Sequence, residues 1–121
     1  MKKIMLAEDD ATMLSLLRTL LTMEGFQVSV LDVHKEDLLA SIRSERPDVL
    51  LMDVHLPHQN GMALLRDLRQ VPELKGMRVI LTSGMALEEE SLSSGADAFL
   101  LKPYMPDDLL NMLRDMTSTK G

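Results

Sequence analysis

The 121-residue chain has no cysteine and no tryptophan, and its aromatics are two phenylalanines and one tyrosine. Without cysteine it cannot form a disulfide, which fits a reducing compartment. With only Phe26, Phe99 and Tyr104, it has little with which to stack nucleic-acid bases. Basic charge is also in deficit: 13 Lys and Arg face 19 Asp and Glu, giving a net charge of −6 and a pI near 4.9. A surface for nucleic acid or for an anionic membrane would be basic, so both are argued against. No apolar run approaches the ~20 residues that span a bilayer. Met1-Lys2-Lys3 leads through a short apolar stretch into Glu8, Asp9 and Asp10, so no signal peptide is expected and a cytoplasmic location is. Repeats, low-complexity segments and internal linkers are missing too.

What is present suffices for one domain. Hydrophobic residues make up 45% of the chain, and a domain near this length buries roughly two-thirds of its unfolded surface. The eleven methionines fall mostly at core-like positions and read as packing. Short apolar runs alternate with amphipathic ones. Strands are expected at residues 3–7, 26–31, 48–53, 77–82 and 98–101, and helices at 11–24, 36–45, 62–71, 86–93 and 106–116. The helix at 86–93 is short and carries Glu88, Glu89 and Glu90, which read as a solvated face. Strands that are apolar on both faces belong in a parallel sheet covered on both sides. The expected fold is therefore α/β: one doubly wound, flavodoxin-like, five-stranded parallel sheet with helices on both faces. Residues 1–117 would form the domain, and 118–121 a tail or the start of a linker.

In such sheets ligands bind beyond the carboxyl ends of the strands. Glu8-Asp9-Asp10 follow the first strand, Asp53 ends the third, Thr82-Ser83 end the fourth and Lys102-Pro103 follow the fifth. Clustered carboxylates repel one another unless a cation intervenes. Hard oxygen donors suit Mg²⁺, or Mn²⁺ in its place. Asp10 reads as the cap of the first helix. Lys102 could neutralise an acid or hold an incoming anion.

The stretches AEDD, LLMDVHLP followed by NG, ILTSG and GADAFLLKP resemble, in order and over nearly the whole chain, the receiver domain of bacterial two-component response regulators. The resemblance implies that Asp53 accepts a phosphoryl group from a phosphohistidine of a sensor histidine kinase or phosphotransfer protein. It implies that Glu8, Asp9, Asp53 and the backbone carbonyl of His55 hold Mg²⁺. Thr82 and Lys102 would bind the phosphoryl oxygens, and the Lys102-Pro103 bond would be cis. Phe99 would be the aromatic that turns inward on phosphorylation, when the surface of the fourth helix, fifth strand and last helix changes shape. Such a chain is a switch and not an enzyme beyond its own phosphorylation and dephosphorylation. Its partners would be the kinase, an output domain or target protein and, on phosphorylation, a second copy. The short fourth helix departs from the family pattern and puts the usual dimer face in question. His55 departs too: it is uncommon at its position, is expected to point outward and modulate the access of water, and leaves the lifetime of the phosphoryl group open.

Four rivals stand against this reading. A flavodoxin-like cofactor binder would need a Gly-rich or Ser/Thr-rich phosphate loop after the first strand, where this chain has acids. A pseudo-receiver that is never phosphorylated would not need the full set of acids, Thr82 and Lys102. A small aspartate-nucleophile phosphatase of the haloacid-dehalogenase type would need an acid two residues after Asp53, where His55 stands. A zinc site built on His55 and His58 lacks cysteine partners, and His34 lies on another loop.

Overall fold

The computed structural model describes residues 1–118; of the expected tail, residues 119–121 lie outside the described residues. The strands are β1 (Lys3–Ala7), β2 (Gln27–Val30), β3 (Val49–Asp53), β4 (Arg78–Ser83) and β5 (Ala98–Leu101). The helices are α1 (Ala11–Met23), α2 (Leu38–Glu45), α3 (Gly61–Leu68), α4 (Glu88–Ser93) and α5 (Pro106–Thr117). All strand pairings are parallel, in the order β2-β1-β3-β4-β5. This is the expected doubly wound sheet.

Side chains alternate across a strand, and that alternation divides the core into two layers. Ile4, Leu6, Val49, Leu51, Ile80 and Leu100 pack with Leu17 and Leu21 of α1 and with Leu109, Leu110 and Leu113 of α5. Met5, Leu50, Met52, Val79, Leu81 and Phe99 pack with Leu38 and Ile42 of α2 and with Leu64, Leu65 and Leu68 of α3. The sheet is thus covered on both faces.

Element ends follow local chemistry. Asp10 accepts the Met13 amide at 3.0 Å, which makes it the expected cap of α1. Gly25, at φ 92°, turns the chain out of that helix, a conformation open to glycine. The second helix begins two residues later than its pattern suggests, because Asp37 caps it by accepting the Ala40 amide at 3.0 Å. The third stops at Leu68 and not at residue 71, since Pro72 opens a separate 3-10 turn, Pro72–Leu74. The fourth helix is even shorter than expected, at six residues, and its first turn is Glu88, Glu89 and Glu90.

Candidate functional site

The parity that sorts the core also gathers the site. Counting along each strand, Glu8 continues the series Ile4, Leu6; Asp53 continues Val49, Leu51; Thr82 follows Ile80; and Lys102 follows Leu100. Each of those apolar residues lies in the α1/α5 layer. All four polar side chains therefore emerge on one face at the carboxyl edge of the sheet. The sheet register sets Asp53 beside Thr82, and both border a small cavity with Glu8 and Tyr104.

Lys102 closes this group. Its Nζ donates to Asp53 Oδ2 at 2.7 Å and to Glu8 Oε1 at 2.6 Å. The Glu8 and Asp53 side chains are only 10% and 12% exposed, so an unpaired charge on either would be costly. Burial alone would lower the Lys102 pKa, but its hydrogen bonds to Asp53 and Glu8, and their charges, outweigh it and raise it. The Tyr104 hydroxyl is also pushed above its ordinary range, first by burial.

The remaining carboxylate oxygens are held by backbone. Asp53 Oδ1 accepts the His55 amide at 2.9 Å. Glu8 Oε2 accepts the amides of Asp9 and Asp10 at 2.8 and 3.1 Å. Asn60 caps α3 by accepting the Met62 amide at 2.8 Å, and the Gly61 amide donates to Val54 O at 2.7 Å. These bonds fold the β3–α3 loop tightly over the end of β3.

Asp9 does not join the group. Its Oδ1 lies 3.0 Å from His34 Nε2, and its side chain is half exposed. Among the described residues, no three of His, Cys, Asp and Glu stand together in a way that could hold a metal ion. His55 and His58 do not pair: the His55 Nε2 is 3.0 Å from Ser83 Oγ, while His58 stacks edge-to-face on His34 with ring centroids 6.1 Å apart. The expected outward-pointing His55 is exposed, but its ring is tied back to β4, because Ser83 is buried and sits at the strand end. Ser83 Oγ also accepts the Met85 amide at 3.0 Å. The links from His34 to Asp9 and from His55 to Ser83 carry no spacing signal in the sequence. They join loops whose conformations are set only by the fold.

The Lys102-Pro103 bond is cis, as the resemblance implies. Phe99 is buried, at 8% exposure, in the α2/α3 layer in this conformation. The register pairs it with Leu81 and sets Thr82 beside Leu100, which puts Phe99 and Thr82 on opposite faces of the sheet.

Residues 4–114 match the response regulator receiver domain model, and the chain belongs to that family. The transcriptional regulatory protein CpxR of Klebsiella pneumoniae is 36% identical over 94% of this chain but only 48% of its own length. The chain thus spans about half of that relative. The BeF3-activated receiver domain of Klebsiella pneumoniae RstA superposes with a TM-score of 0.85 at 30% identity, covering 97% of this chain and all of that one (100%). The receiver domain of the sensor histidine kinase PA1611 from Pseudomonas aeruginosa, with magnesium coordinated in its active-site cleft, shares the fold with a TM-score of 0.83 at 24% identity, covering 97% and 98% of the two chains.

Proposed function

We propose that this domain is a phosphorylation-dependent switch that takes a phosphoryl group onto Asp53 from a phosphohistidine of a sensor histidine kinase or phosphotransfer protein. The observation that carries this reading is the Lys102 ammonium held between Asp53 and Glu8 at 2.7 and 2.6 Å. It holds Asp53 in place beside a second carboxylate that would otherwise repel it.

In the reaction an Asp53 carboxylate oxygen attacks phosphorus. The P–N bond breaks, its electron pair stays on the histidine nitrogen, and an acyl phosphate forms. Catalysis of such a step is chiefly positioning and charge neutralisation. The His55 amide and Lys102 fix the two Asp53 oxygens. On this reading Lys102 would follow the negative charge onto the phosphoryl oxygens, and Thr82 would donate a hydrogen bond to one of them.

The donor chemistry fits Mg²⁺ or Mn²⁺: three carboxylates (Glu8, Asp9 and Asp53) and the His55 carbonyl are all hard oxygens. The Lys102 ammonium already marks the gap between Glu8 and Asp53 as one that takes a cation. When bound, the metal would supply positive charge for the phosphoryl oxygens. The chain's own chemistry would be confined to its own phosphorylation and dephosphorylation, so it is not a turnover enzyme.

A phosphoryl group adds about −1.5 to −2 charges. On this reading Thr82 and the β4–α4 loop move toward it, and the surface of α4, β5 and α5 changes shape as a two-state shift. That surface carries exposed Leu92, Leu101 and Met105, which suit contact with an output domain, a target protein or a second copy. Among the described residues no helix is long and apolar enough to cross a membrane, which suits a cytoplasmic role.

The test is intact-protein mass after incubation with acetyl phosphate and Mg²⁺. One added phosphoryl group, absent from Asp53→Asn and absent without the metal, is the expected result. No gain in the wild type would leave an interaction module that is never phosphorylated.

A further inference from the structure

Three loops meet at the outer lip of the acid site, and the contact that joins them falls on a residue assigned above to metal binding. Asp32 Oδ1 accepts the His34 amide at 3.1 Å and sets the start of the β2–α2 loop. The His34 ring then reaches Asp9 of the β1–α1 loop through Nε2 at 3.0 Å. His58 of the β3–α3 loop packs edge-to-face against that ring. Asp9 consequently borders the outer groove with Asp32 and His34; Glu8 lines both that groove and the inner cavity it shares with Asp53 and Thr82, which Asp9 does not reach.

Mg²⁺ demands near-ideal octahedral oxygens at short range. For Asp9 to ligate an ion held by Glu8 and Asp53, its carboxylate must turn inward. That turn breaks the contact with His34. We infer that His34, backed by His58 and set by Asp32, is a latch that biases Asp9 away from the metal site, so that divalent-cation binding competes with the His34 contact. His34 is a positioning residue in this scheme, acting on the cation only through Asp9. The inference rests on the receiver reading of the acids given above.

The latch is weak by construction. The His34 and Asp9 side chains are 63% and 53% exposed, and exposed pairs of this kind contribute little. The effect therefore tunes affinity and does not block binding.

The experiment is Mg²⁺ titration of the whole chain, followed by backbone amide shifts of residues 8–10 and 53–55 and by the His34 ring resonances. In the wild type, saturation with Mg²⁺ is expected to move the His34 ring signals as Asp9 leaves. His34→Ala is expected to bind Mg²⁺ about two- to fivefold more tightly, the range that the energy of an exposed pair allows. Asp32→Ala, which loosens the loop but keeps the ring, is expected to shift affinity in the same direction by less. Unchanged or weaker binding in His34→Ala overturns the latch: the imidazole would then leave Asp9 free, or orient it as a ligand. If the wild type and both variants fail to bind Mg²⁺ at all, the cation site itself is refuted. All the altered side chains are exposed, so matched thermal melts suffice to show that the variants are folded.

Discussion

Lys102 carries one positive charge between two carboxylates, and what its removal does depends on pH. Its pKa is raised in the fold. The stability it contributes is therefore fully present below its unfolded value of about 10.4 and is lost as pH rises through the higher folded value. Replacing it with methionine leaves Glu8 and Asp53 facing each other in a pocket that water reaches poorly. Lys102→Met is expected to be less stable at pH 7 by about 1–2 kcal/mol, between the cost of breaking an exposed pair and a buried one. The deficit should shrink above about pH 10.4, where the wild type loses its own contribution. Denaturant unfolding at pH 7 and 11 checks both points; a deficit that stays constant across pH would mean that Lys102 acts through packing alone.

At the scale of elements, the join between β3 and α3 is the tightest part of the site. A Cβ built on Gly61 would lie 2.6 Å from the Asp53 carbonyl oxygen and 3.0 Å from Val54 Cα. Both are backbone atoms of the segment that carries the proposed phosphoacceptor, so neither can yield without moving Asp53. Gly61→Ala is expected to destabilise the domain by about 1–3 kcal/mol, the usual cost of overpacking, and to slow phosphorylation by acetyl phosphate. A variant with normal stability and normal phosphorylation rate would show that the loop adapts freely.

The same join illustrates what the sequence discloses. Asn60-Gly61 stands out as a turn, and Asp53 as an acid at the end of an apolar strand; both follow from period and residue type. The convergence of Glu8, Asp53, Thr82 and Lys102 is legible too, because a parallel sheet puts strand ends on one edge. Helix bounds are less so: Asp37 and Pro72 move the ends of α2 and α3 by local capping that competes with the apolar period. The packed state of Phe99, the tie from His55 to Ser83 and the contact of His34 with Asp9 are not legible, since each depends on a loop path or a rotamer chosen by the finished fold.

For the molecule as a whole, metal binding is expected to appear as stability. A ligand that binds only the folded state at about a hundred times its Kd adds about 2.7 kcal/mol. For a domain of this size that is on the order of 10 °C in Tm. Mg²⁺ should raise Tm by about this amount in the wild type, and Asp53→Asn and Asp9→Asn should remove most of the gain. An equal rise in both variants would assign the effect to general screening of the net charge of −6.

The contact between Lys102 and Glu8 joins positions 94 residues apart. Ribosomes deliver a chain from its amino end, so Glu8 and Asp53 emerge well before the lysine that reconciles them. Until β5 docks at the edge of the sheet, the two acids have no shared counter-charge. On the proposed reading, a chain whose last strand is not yet in place would offer a phosphodonor an acceptor without its cation, so competence for the reaction would arrive only with the finished sheet.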